Sequence, residues 1–130
     1  MAFSLASVFR RDRPVVPVVR LSGAIGGAGG LRPGLSLASV ETALAKAFGI
    51  KRAPAVALVI NSPGGAAVQS HLIFQRIRAL ADEKKKKVIV AVEDVAASGG
   101  YMIAVAGDEI VVDASSIVGS RLNIERSWIR

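Results

Sequence analysis

Two apolar runs, Ala55–Ile60 and Val88–Val92, each lead into a pair of glycines. The first continues as Asn61-Ser-Pro-Gly64-Gly65 and the second, after Glu93 and Asp94, as Val95-Ala-Ala-Ser98-Gly99-Gly100. Short apolar runs without polar alternation are expected of strands buried on both faces of a parallel sheet. Between them, Ala66–Lys84 carries Ile73, Ile77, Leu80 and Ala81 at helical spacing. A strand–helix–strand unit closes with a right-handed crossover, so both strands run the same way. Both glycine pairs therefore fall at strand carboxyl ends, on the side where ligands bind in open α/β sheets.

The rest of the chain fits the same plan. Val15–Leu21, interrupted by Pro17, reads as a strand start or an edge strand. Ser22–Gly34 contains six glycines and predicts a loop bordering a cleft. It lacks the dinucleotide fingerprint, because Arg32 stands where a third glycine would be needed after Gly27 and Gly29. Ser36–Phe48 predicts a helix with Ser36 or Ser39 as cap and Leu37, Val40, Leu44 and Phe48 on one face. A buried helix is expected over Gly99–Ala106, a strand over Ile110–Val112 and a short element over Ser115–Gly119. The fold class is α/β, a mostly parallel sheet flanked by helices.

Composition narrows the chemistry. The chain has no cysteine, which removes disulfides, thiolate nucleophiles and Cys-based metal sites, and His71 is its one histidine. Neither a cofactor nor a metal is expected. No run reaches the roughly 20 apolar residues that span a bilayer. Met1–Phe9 is mildly apolar and precedes Arg10, Arg11 and Arg13, the reverse order of a secretory signal. The expected location is the cytoplasm, with a peripheral contact to the inner face of the cell membrane through this segment. The net charge is +7, yet the basic residues are scattered apart from Lys84–Lys87, which closes a predicted helix. The few aromatics do not interleave with them, so no nucleic-acid partner is expected.

Ser98 stands between a buried strand and a buried helix, where unpaired amides and a positive field favour its ionised oxygen. An ordinary N-cap serine would occupy the same place. The upstream turn tips the balance towards a nucleophile: Gly64, Gly65 and Gly99 can bring backbone N–H groups close to an oxyanion or a bound peptide. The base is harder to find. His71 falls in a polar stripe with Gln75, Arg78 and Asp82 that is expected to face solvent. Lys46, Lys51 and Lys84–Lys87 lie on helices or at the opposite strand ends.

At these residues the chain resembles the S49 peptidase family, of the signal peptide peptidase A type, within the ClpP/crotonase fold. The motifs are Ile60-Asn-Ser-Pro-Gly-Gly65, Glu93-Asp-Val-Ala-Ala-Ser-Gly-Gly-Tyr101, Ala106-Gly-Asp-Glu-Ile110 and Ser115-Ser-Ile-Val-Gly-Ser120. The resemblance implies a serine peptidase with Ser98 as nucleophile and Gly64, Gly65 and Gly99 as oxyanion or substrate-binding residues. It also implies a peptide substrate, a homo-oligomer, and a general-base lysine downstream of the serine segment. On this reading residues 1–14 form a flexible N-terminal segment and 15–120 the N-terminal portion of the peptidase domain. Residues 121–130 form a divergent tail, whose loss of pattern is read as truncation or a frame change. The competing readings are a crotonase-like acyl-CoA enzyme that uses only the amide donors, and a non-catalytic truncated domain.

Overall fold

The computed structural model describes residues 13–27 and 33–120. The expected N-terminal segment lies outside these almost entirely, and the divergent tail does so entirely. The elements run β1 (Val18–Ser22), α1 (Leu37–Gly49), β2 (Ala55–Ser62), α2 (Ala67–Lys84), β3 (Lys87–Ala97), α3 (Gly99–Ala104), β4 (Glu109–Val112) and β5 (Ile117–Gly119). They form one five-stranded sheet in the order β1-β2-β3-β4, with β5 paired to the far end of β3. Every pairing is parallel.

Consecutive strands in consecutive positions, joined by right-handed crossovers, place all the helices on one face. Burial agrees. Val19 and Leu21 of β1, Val56, Leu58 and Ile60 of β2, and Val88, Val90 and Val92 of β3 share one parity and are buried. They pack on Val40, Leu44 and Phe48 of α1 and on Ile73, Ile77 and Leu80 of α2. The other parity is less covered: Ala57, Val59, Ile89 and Ala91 are half-buried and Val18 is exposed. The expectation of strands buried on both faces therefore holds for one face only among the described residues. Over that second face Arg20 reaches Glu93 at 2.8 Å, spanning β2 from its two neighbours.

The helices begin and end for local reasons. Ser36 and Ser39 form a reciprocal capping box, so both expected caps are used. α2 stops at Lys85, which takes up the left-handed conformation (φ 52°, ψ 50°), while its N–H returns to the Ala81 carbonyl. Two expectations need correction. α3 ends at Ala104, and its flank is only partly covered, with Val105 exposed. Of the stripe assigned to solvent, Gln75 and Asp82 are exposed, but Arg78 is tied to the neighbouring turn, donating to the Ala106 carbonyl at 3.0 Å and to Asp108 at 3.1 Å. Asp108 in turn accepts the Val88 N–H at 2.7 Å, clamping the α3–β4 turn to the start of β3.

A candidate serine site at the strand carboxyl ends

Between Ile60 and Ser62 the register of β2 and β3 slips, because Ile60 pairs with Val92 but Ser62 pairs with Ala96. β3 thus holds two residues more than its partner there. The Asn61 side chain spans the irregularity: its Nδ2 donates to Asp94 at 3.0 Å and its Oδ1 accepts the Val95 N–H at 3.3 Å. At the bulge β3 exchanges one neighbour for another, pairing with β4 through Val92 and with β5 from Val95 onward. Ser98 follows directly, with its N–H donating to the Gly119 carbonyl of β5 at 3.2 Å.

Ser98 has φ 52° and ψ −121°, a conformation that side chains rarely adopt. Its hydroxyl makes no capping bond to α3, which sets it apart from an ordinary N-cap serine. A serine held in strain where a strand turns sharply into a helix is the arrangement that exposes the nucleophilic oxygen of α/β-hydrolases. The surroundings leave little choice of residue. A Cβ on Gly99 would stand 2.2 Å from Ser70 Oγ, and one on Gly100 would stand 2.5 Å from the Ser62 carbonyl oxygen.

The upstream turn lies against this serine. Gly64 (φ 100°) is so close that a Cβ there would meet Ser98 Cβ at 2.7 Å and the Gly99 nitrogen at 2.8 Å. On its other side, Ile25 donates its N–H to the Gly64 carbonyl at 2.9 Å and accepts the Ala66 N–H at 2.7 Å. The described ends of the glycine-rich loop thus pair with the turn and close one side of the site. That pairing directs the N–H and C=O of Gly65 to the edge away from Ile25.

The structure brings Ser98, Gly64, Gly65 and Gly99 together and distinguishes their amides. The Gly64 N–H is occupied, donating to the Ser62 hydroxyl at 3.2 Å inside the protein. The Gly65 N–H makes no hydrogen bond among the described residues, and that of Gly99 lies in the first turn of α3 without an intrahelical acceptor. Ser62 and Ser70, both fully buried, went unnoticed in the sequence. The signal was available for Ser62, since a hydroxyl two residues before a glycine amide is a common local turn.

The base remains apart. His71 is half-buried on α2. The lysines sit at the far ends of the strands: Lys87 opens the 11-residue β3 that ends just before Ser98, up to about 33 Å away. A hydrogen bond from Lys87 to Glu109 raises its pKa, whereas a lysine base needs a lowered one. No group of His, Asp or Glu among the described residues could hold a metal ion.

Known proteins resemble this chain in sequence and in fold. The chain matches Peptidase family S49 over residues 80–121. It is 40% identical over 82 residues to Protease 4 of Haemophilus influenzae, covering 63% of this chain and 13% of that protein. It is 67% identical over 113 residues to the Na(+)/H(+) antiporter NhaA of Brucella melitensis, covering 86% of this chain but 15% of that protein. The chain therefore spans well under a quarter of either relative. No helix among the described residues is long and apolar enough to cross a membrane. A mutant of the 1510-N membrane-bound stomatin-specific protease shares the fold, with TM-score 0.59 and 23% identity over 80% of this chain and 46% of that one. The chain is thus similar to S49 peptidases in sequence over residues 80–121 and to the stomatin-specific protease in fold.

Proposed function

We propose that this chain carries the nucleophile and the oxyanion-binding half of an S49 serine peptidase. The observation that carries the reading is Ser98, strained and uncapped, packed against Gly64 of the neighbouring turn. In acylation the Ser98 oxygen bonds to the scissile carbonyl carbon, the amide C–N bond breaks, and the amine leaves with the serine's proton. Water then hydrolyses the acyl ester. The Gly65 and Gly99 amides are the donors to the developing oxyanion, since that of Gly64 is held by Ser62. The extended edge of Gly65 offers a peptide a strand to pair with, which suits a peptide better than an acyl-CoA thioester. The lysine that takes the proton is not among those described, and a homo-oligomeric assembly belongs to the same reading.

The test is covalent. A fluorophosphonate probe should add once, slowly, to the wild-type chain and not at all to Ser98→Ala, as read by intact mass. General-base help is typically worth about 10²–10⁴-fold in rate, so the 130-residue chain should hydrolyse peptides very slowly. A longer product that includes a downstream lysine should be active, and Ser98→Ala should abolish that activity. Labelling that persists in Ser98→Ala would remove the nucleophile from the reading.

A further inference from the structure

The basic residues look scattered along the sequence, but the fold collects many of them at one pole. α1 ends at Gly49 and α2 at Lys84, both at the end where β2 and β3 begin. The Lys86 ammonium donates to the Ile50 carbonyl and ties the two helix ends together. Lys46, Lys51, Arg52, Lys84, Lys85, Lys86 and Lys87 are thereby grouped on the side opposite Ser98. The acids of this region are matched locally: Asp82 and Asp108 by Arg78, Glu83 by Lys84 and Glu109 by Lys87. Lys46, Lys51, Arg52 and Lys85 are exposed and make no ion pair among the described residues.

Lys85 adds a second observation. It occupies the left-handed position after α2, where glycine is the favoured residue and a side chain is strained. The chain holds a charged side chain at a place where backbone energetics favour none. A residue that breaks a local rule marks a position where something other than stability decides the choice.

We propose that this pole docks on an anionic lipid surface, with the ammonium and guanidinium groups set among headgroup phosphates and carboxylates. Planar attraction of this kind needs only several flexible cations within about 8 Å of the surface, the screening distance at physiological salt. The described residues of the pole offer no exposed aromatic on which a base could stack, since Phe48 is buried. A depression of about 210 Å³, lined by Glu93, Asp94 and Asp113 away from this pole, would repel a phosphate backbone. Docking in this orientation turns the Ser98 rim away from the bilayer, towards peptide in the aqueous phase.

The test is co-sedimentation of the full chain with vesicles of phosphatidylcholine alone and with added phosphatidylserine, at low and physiological salt. Binding should require the anionic lipid and weaken with salt. The triple variant Lys51→Gln, Arg52→Gln, Lys85→Gly should bind about 100-fold more weakly, near fivefold for each charge. The glycine keeps the helix cap, so the variant should remain folded by circular dichroism. A second variant neutralises Arg10, Arg11 and Arg13 and should retain most of the binding. Unchanged binding by the triple variant, binding lost only with the N-terminal arginines, equal binding to neutral vesicles, or capture of single-stranded RNA in preference to vesicles would each overturn the proposal. None of these outcomes bears on Ser98, whose covalent labelling is read separately.

Discussion

Gly64 and Ser98, 34 positions apart in the chain, touch so closely that one methyl group on the glycine would stand 2.7 Å from the serine Cβ. The strained serine and the glycine turn are therefore one structural unit. Gly64→Ala must move one of them, and it also places a side chain at φ 100°. A loss of more than about 2 kcal/mol is expected, with fluorophosphonate labelling reduced even in the fraction that stays folded. Denaturant titration alongside labelling checks both. A variant as stable as wild type would mean that the two elements are less tightly apposed.

Ser62 holds the Gly64 amide from inside the fold. Ser62→Ala leaves that N–H without its partner in a fully buried place. The expected cost is about 1–3 kcal/mol. Hydrogen exchange gives the local readout, since the Gly64 amide should lose protection while the β2 amides up to Ile60 keep theirs. Unaltered exchange at Gly64 would show that the bond contributes nothing.

Strain at Ser98 gives a prediction of opposite sign. Ser98→Gly relieves a φ of 52° that glycine tolerates freely. Part of the gain is offset by the greater freedom of glycine in the unfolded chain. A net stabilisation of about 1 kcal/mol should appear as a Tm a few degrees higher, while labelling is lost. A lower Tm would show that the serine side chain contributes more than its backbone strain removes.

Acid should loosen the lower end of the sheet first. The Val88 N–H, together with Arg78, holds the Asp108 carboxyl below its ordinary pKa. A carboxylate whose pKa is lower in the folded state stabilises the fold above its unfolded value, near pH 4, and that contribution fades as pH falls through the folded value. Asp108 is partly exposed, so solvent screening reduces the effect to about 1 kcal/mol. Asp108→Asn should lose about that much at pH 7 and show a flatter decline of stability between about pH 5 and pH 2. Parallel acid limbs for variant and wild type would overturn the assignment.

Most of the architecture was legible in the sequence because the parallel strands are nearly continuous apolar runs and the helices carry a clear 3.6 period. α1 and α2 begin and end within a residue of expectation, since Ser36 and Gly49 are strong local signals. β3 was read too short: Glu93 and Asp94 break the apolar run, and only the Asn61 bridge reveals that the strand continues through a bulge. Arg78 was misplaced because periodicity reports a helix face but not which turn lies beside it. At the site, glycine and serine types were readable. The outward turn of the Gly65 amide was not, since it depends on which side of the turn Ile25 occupies.

The slip between β2 and β3 bears on what length changes this domain can absorb. Val88, Val90, Val92 and Ala96 all face the helices, so the surplus of two leaves the alternation of side chains intact. Losing Glu93 and Asp94 together would straighten β3 and still deliver Ser98 to Gly64, at the expense of the handover from β4 to β5. Losing either one alone would invert every side chain beyond it, sending Ala96 outward and rotating Ser98 away from the turn. A paired change of length ahead of the serine thus keeps the parity of β3, whereas a single one needs a further bulge to restore it.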